Sequence, residues 1–438
     1  MSKTILVRGG VVLTLGVRTA NFARADVLVE ERVIAEVGPG LRARDAELID
    51  ATEAIVMPGF VDTHRHLWKS LFRNFGEAMA SGGSLQSPSV YGPHYRPDDV
   101  YAATLIGLLG AAEAGITTVV DWADLPHGAG HVEAALEAHA DSGLRTVFAF
   151  AAPDWSMGSA DLRSLIGGLS VRGDHTTLAL GSRELAGDLE VVETEWTAAR
   201  GLGLRIHAHA GIDPANSGVV ARLGGQGQLG EDVTLVHCSL LDASDLDAIA
   251  ASGASVSMAP ASEMAIGLGA PPIQGLIDRG IRPGLGVDQE ALAPGDIFAA
   301  MRAVNSMQHA SSFDLKLAGK AGIPNLLSTR EVIRYATSDG ARVAGLGDVT
   351  GSIEPGKRAD ILVLRADRPN IHPVNDPIGA VVWGMDTSNV DWVLVGGKPL
   401  VRDGELSADS ARARGLALAA HRRVAEAAGL TAGMGATS

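Results

Sequence analysis

Met57-Pro58-Gly59-Phe60-Val61-Asp62-Thr63-His64-Arg65-His66 decides how the rest of the chain is read. Pro58 and Gly59 close what precedes them, and Phe60 and Val61 open a buried strand that runs straight into His64-Arg65-His66. Successive side chains of a strand point to opposite faces, so His64 and His66 share one face and Arg65 takes the other. Two neutral imidazoles on one side of a strand end can approach a single borderline cation such as zinc. Two ligands do not make a site, so the others must come from elsewhere in the chain. Arg65, aimed away, is expected to form a structural ion pair.

Working outward, residues 58–357 show short apolar strands alternating with helical stretches, the pattern of a parallel α/β arrangement. Candidate strands lie at 59–64, 116–121, 145–150, 176–180, 204–209, 233–237, 254–258 and 283–288, with helices at 97–114 and 131–142 among the connections. Eight parallel strands with helices between them predict an α/β fold, a closed (β/α)8 TIM barrel whose reactive groups gather at the strands' C-terminal ends. The connections 67–96 and 303–325, rich in small or polar residues, are expected to be mobile covers over a pocket. Short β-rich runs fill residues 1–57 and reappear in 358–406; neither set can bury two faces alone. The two termini are therefore expected to build one small β-sandwich domain around the inserted barrel, leaving 407–438 as a C-terminal helix and tail.

The chain of 438 residues is long enough for a barrel plus a smaller unit. Its net charge of −15 disfavours nucleic acid and anionic membranes as partners and suits a small-molecule substrate that is neutral or basic. A lone cysteine, Cys238, rules out an intrachain disulfide framework and fits a reducing cytoplasm. No apolar run is long enough to span a bilayer and the N-terminus does not read as a secretory signal, so a soluble cytoplasmic protein is expected, with homo-oligomerisation open.

Three further polar strand ends fall where a barrel presents its chemistry. Strand five reads Leu204-Arg205-Ile206-His207-Ala208-His209, strand six ends Leu235-Val236-His237, and strand eight ends Gly286-Val287-Asp288. An isolated buried histidine is usually a satisfied core residue; several strand-terminal histidines with one aspartate point to a shared metal pocket. His207 and His209 lie on one face, and His209 is nearer the strand's mouth.

Pro-Gly-Phe-Val-Asp-Thr-His-Arg-His, the strand-five histidine, Leu-Val-His-Cys, Leu-Gly-Val-Asp and the closing Gly-Ser-Ile-Glu-Pro-Gly-Lys-Arg-Ala-Asp-Ile-Leu-Val-Leu together resemble the amidohydrolase superfamily, in its cytosine deaminase and triazine hydrolase branch. The resemblance covers nearly the whole chain. It implies one divalent metal ion, Zn2+ before Fe2+ or Mn2+, held by His64, His66, His209 and Asp288. His237 is then a water- and substrate-orienting residue, and His207 packs one layer deeper or hydrogen-bonds behind the ligand. Binuclear members bridge two metals through a strand-four lysine, and Thr176–Ser182 contains none.

The implied activity is hydrolysis of a non-peptide C–N bond, above all deamination of a small heterocycle or amidine-like compound. Amide hydrolysis or displacement of another ring substituent is the alternative, and a catalytically silent barrel scaffold the non-enzyme one. A bound divalent ion lowers the pKa of its water from about 15.7 to near 7, and Asp288 can take the proton released. One feature departs from the branch. Its deaminases carry His-x-x-Glu on strand five, whereas that position is Ile212 counted from His209 and Ala210 counted from His207. Neither side chain moves a proton, so the shuttle falls to His237 with Asp288, or to Glu263 in the loop after strand seven. A solvated loop carboxylate is the competing reading of Glu263. Trp68, His94, Trp122, His127 and Trp155 follow strand ends and are candidates to line the pocket, against simple packing. The Gly-rich 224–230 segment lacks a phosphate-loop lysine and reads as a loop.

Overall fold

The computed structural model describes residues 4–75, 88–124, 128–151, 159–182, 185, 189–291 and 293–430. Eight parallel strands form one sheet in which each neighbours the next in sequence: β1 Phe60–Arg65, β2 Ile116–Ala123, β3 Arg145–Ala151, β4 Thr176–Ser182, β5 Arg205–Ala210, β6 Val233–His237, β7 Ser255–Met258 and β8 Gly284–Leu285. These coincide with the expected strands to within a residue or two except at the last. There the regular strand is only two residues long, and Gly286–Asp288 continues it irregularly. The sheet closes where Asp288 donates its backbone N–H to His64 O at 2.8 Å and accepts from His66 N–H at 2.9 Å. Gly286 is required at this seam: a methyl group there would lie 2.9 Å from the His64 carbonyl oxygen.

The seam is also held from outside the barrel. Arg65 is almost fully buried and pairs with Asp62 at 3.3 Å and Glu290 at 3.1 Å, while Glu290 also takes Arg73 at 2.8 Å. Asp62 accepts the Val287 N–H at 3.0 Å and thereby ties β1 to the end of strand eight. Burial raises the Asp62 pKa to about 7, with Arg65 opposing it. Arg65 is therefore structural, as its outward position in the strand predicts.

A second, nine-stranded sheet is built from both termini. Ala54–Pro58 from the N-terminal part pairs antiparallel with Ile361–Arg365 from the C-terminal part, with Pro58 opposite Ile361 and Ala54 opposite Arg365. Ile5, Val7, Val27, Ile49, Val56, Ile361 and Val363 share one buried apolar cluster, so neither half completes its core alone. Arg145, at the start of β3, reaches Asp360 with two hydrogen bonds of 2.7 and 3.0 Å and joins this sheet to the bottom of the barrel. Both side chains are buried.

Two connections differ from expectation. Residues 303–325 are mostly helix, within Ile297–Leu317, whose polar Asn305 and Gln308 side chains bond the backbone of Leu327 and Asn325. Within 67–96, Leu67–Phe72, Pro88–Tyr91 and Gly92–His94 are short helical turns, and 76–87 lies outside the described residues. The C-terminal helix, Ser410–Ala427, packs outside the barrel, and its Arg423 pairs with Asp99 of helix Pro97–Glu113. Among the described residues no helix is long and apolar enough to cross a membrane.

Removing one partner of a buried ion pair leaves the other charge uncompensated and costs about 3–5 kcal/mol. Asp360→Asn should destabilise the fold by that order in equilibrium urea denaturation, while Asp367→Asn, on an exposed pair, should shift the midpoint little.

Candidate metal centre

Four side chains from three strand ends meet at the C-terminal mouth of the barrel. His64 Nε2 lies 3.3 Å from His209 Nε2 and 3.6 Å from Asp288 Oδ1, and His66 Nε2 lies 3.5 Å from the same carboxylate oxygen. His64, His66 and Asp288 are each no more than 5% exposed. An N–H on one ring could satisfy one of these contacts; a cation between the lone pairs satisfies all of them. Ligands on tetrahedral arms of about 2.05 Å sit about 3.3–3.4 Å apart, close to the observed separations, so the donor set fits a zinc-sized ion. His64, His66 and Asp288 form one triad of mutually close donor atoms, and His64, His209 and His237 another.

Electrostatics agree with this arrangement. Burial lowers the His64 pKa to about 3, and burial with the neighbouring rings takes His209 well below the usual imidazole range, so both are neutral lone-pair donors. Burial alone would raise the Asp288 pKa, but its contacts with His64, His237 and His66 hold it well below the usual carboxylate range. Its second oxygen accepts the Ser262 hydroxyl at 2.6 Å.

His237 stands beside the group, its ring 5.0 Å from that of His209 and nearly parallel. Its Nδ1 is 3.0 Å from Glu263 Oε1, which also accepts the Ala259 N–H at 2.8 Å. Glu263 is fully buried in helix Pro260–Ile266, so the solvated-loop reading is overturned: the segment after β7 is a helix whose first turn turns this carboxylate inward. Burial works against the His237 imidazolium, but the Glu263 hydrogen bond and charge outweigh it and raise its pKa; burial raises that of Glu263, with His237 opposing. The pair thus keeps a proton within reach of the pocket. His237 and Asp288 both have positive φ, at 73° and 63°. Non-glycine residues in this region cost about 1–2 kcal/mol each, a strain concentrated where the side chains turn into the mouth.

The other candidates separate cleanly. His207 is fully buried one layer down, and among the described residues neither ring nitrogen has a hydrogen-bond partner, so of its two expected roles the structure favours packing. Trp122 stacks on His209 at 4.0 Å and 16° and walls the site. Trp68 is buried and donates its indole N–H to Asp124. His94 lies away from the group, where its carbonyl accepts from Arg423. His127 and Trp155 fall outside the described residues. Cys238 is buried and burial raises its thiol pKa, which leaves it inert as a nucleophile.

Sequence reasoning missed Asp124 and Ser262. Asp124 follows β2 and lies 2.8 Å from His66 Nδ1. Burial would raise its pKa, but His66 and Lys69 hold it far below the usual range. Its place one residue past a strand end was the one signal available.

Residues 55–400 match the model of the amidohydrolase family. The chain belongs to that family, whose members here define a hydrolase of C–N bonds other than peptide bonds. It is similar to the 5'-deoxyadenosine deaminase of Methanothermobacter thermautotrophicus, 29% identical over 92% of this chain and 95% of that one. It is also similar to the 5-methylthioadenosine/S-adenosylhomocysteine deaminase of Pelotomaculum thermopropionicum, 28% identical over 90% and 92%. In fold it matches an adenosine deaminase from Xanthomonas campestris with bound zinc, at TM-score 0.81 and 21% identity over 96% and 98% of the two chains. An atrazine chlorohydrolase from Arthrobacter aurescens complexed with zinc gives TM-score 0.80 and 24% identity over 95% and 100%.

The two strand-five histidines give a discriminating experiment. His209→Ala should abolish stoichiometric divalent-metal binding, measured by elemental analysis after dialysis. His207→Leu should keep the metal and leave the melting temperature unchanged or higher, because it removes two buried unsatisfied nitrogens.

Proposed function

We propose that this protein is a cytoplasmic, mononuclear metal-dependent deaminase of a small amino-substituted heterocycle, with His64, His66, His209 and Asp288 as the metal ligands. The observation that carries the reading is that two triads of close donor atoms, His64–His66–Asp288 and His64–His209–His237, share His64 beside a buried His237–Glu263 pair. The similarity to deaminases over nearly the full chain supports the heterocycle class. A divalent ion in this donor set would supply Lewis acidity and a water acidified to near neutrality.

The chain's own groups divide the remaining work. Asp288, oriented by Ser262, accepts the proton of the attacking water. Because the Glu263 carboxylate engages Nδ1 of His237, the opposite nitrogen Nε2 is the one available to the substrate. From there His237 polarises the carbon under attack and delivers a proton to the departing nitrogen. Water oxygen bonds to carbon, the C–N bond breaks, and ammonia leaves. Glu263 acts through His237 by holding its ring and balancing its charge, which supplies the acid–base couple that Ile212 cannot. Trp122, flat against His209, offers an apolar wall suited to a planar ring.

Zinc-loaded protein should release ammonia from at least one of 5'-deoxyadenosine, adenosine and an aminotriazine; substrate consumption without ammonia would assign displacement of another substituent instead. Metal-loaded protein that turns over none of a broad heterocycle panel would contradict the reading. Removing a general acid–base group costs about 10²–10⁴-fold, so His237→Asn should lower kcat in that range with metal content unchanged. Glu263→Gln should lower kcat more than it raises KM.

A further inference from the structure

We propose that Asp124 is a positioning residue of the metal centre, fixing the tautomer and plane of His66 through a carboxylate shared with the Trp68 indole. The inference rests on the metal-site reading above and adds to it a residue outside the ligand set.

Asp124 Oδ1 is 2.8 Å from His66 Nδ1 and 2.6 Å from Trp68 Nε1, so one oxygen gathers two N–H donors. A carboxylate can only accept, which places the ring proton of His66 on Nδ1 and leaves its Nε2 lone pair facing the pocket, where Asp288 Oδ1 lies 3.5 Å away. Ligating histidines that donate to a carboxylate are held in one orientation and made more basic toward the ion. The other oxygen of Asp124 lies 3.5 Å from Lys69 Nζ, so the carboxylate is anchored at both ends.

The indole donor is itself fixed. Trp68 is 3% exposed, and its ring packs edge-on against Tyr95 at 5.3 Å and beside Tyr91 at 5.9 Å. Tyr95 donates its hydroxyl to the Trp68 carbonyl at 3.0 Å. Tyr91 stacks on Phe72 at 4.1 Å, and Phe72 meets His421 of the C-terminal helix at 5.2 Å. A packed aromatic column therefore backs the indole that holds the carboxylate facing His66, while Asp124 keeps about a third of its side-chain surface open (34%). A residue that merely filled space would not gather three polar partners on a part-open carboxylate.

The test is the zinc dissociation constant of the apoprotein, read by competition with a chromophoric chelator for wild type, Asp124→Asn, Asp124→Ala and Trp68→Phe, together with the melting temperature of each apo form. Loss of such a partner typically weakens metal affinity by about 10–100-fold. Asp124→Ala should fall in that range, with Asp124→Asn intermediate because its amide oxygen still accepts one hydrogen bond, and Trp68→Phe weaker than wild type by a smaller factor. The apo melting temperatures should stay near that of wild type. Affinities within twofold of wild type in both Asp124 variants would overturn the inference, as would a loss of affinity matched by collapse of the apo fold. Wild-type protein that binds no stoichiometric zinc would instead overturn the metal-site reading on which it rests.

Discussion

Everything in this structure depends on a cluster of lone pairs forced to face one another out of water. His64 brings a ring nitrogen to 3.3 Å from that of His209 and 3.6 Å from the Asp288 carboxylate, which His66 in turn approaches to 3.5 Å, in a largely buried mouth. Burial keeps the imidazoles of His64 and His209 neutral, so protonation does not relieve the crowding. Such an arrangement is unfavourable alone and favourable around a cation, so the scaffold must carry its cost until the ion arrives.

The scaffold does this at its seam. β1 supplies two of the donors and the end of strand eight supplies the carboxylate. Few backbone hydrogen bonds join these strands, since only Gly284–Leu285 is regular. The Asp62–Arg65–Glu290–Arg73 chain of ion pairs, buried at Asp62 and Arg65, lies on the far side of the same seam and binds β1 to the segment after strand eight. The residue between His64 and His66 thus holds the barrel closed while its neighbours face inward. Local stability and the site share one strand, and the alternation of strand side chains is what allows both.

The parts of the fold that the sequence made legible are those that follow from local periodicity. Period-two alternation placed His64 and His66 on one face, and the apolar strand runs located eight strands to within a residue or two, except at strand eight, whose regular part is only Gly284–Leu285. Helix Ile297–Leu317 was hidden by its Ser, Asn, Gln and His content. Its buried Ile297, Met301 and Val304 are spaced for a helix, and Asn305 and Gln308 are satisfied by backbone that only the folded connection supplies. Glu263 could be left only as one of two candidates, and Asp124 was missed, for one reason. Their partners, His237 and His66, are 26 and 58 residues away, and no local pattern encodes a contact across the barrel mouth. His207 was legible in part: alternation placed it on the face of His209 and one layer deeper, and the structure adds that among the described residues both of its nitrogens are unpartnered.

X-ray absorption at the metal edge of zinc-loaded protein tests the central claim most directly, because it reads the ligand shell without reference to turnover. A first shell of nitrogen and oxygen at about 2.0–2.1 Å, with outer-shell scattering from three imidazoles, is the expected result. A sulfur contribution near 2.3 Å, or scattering from fewer than three imidazoles, would contradict it.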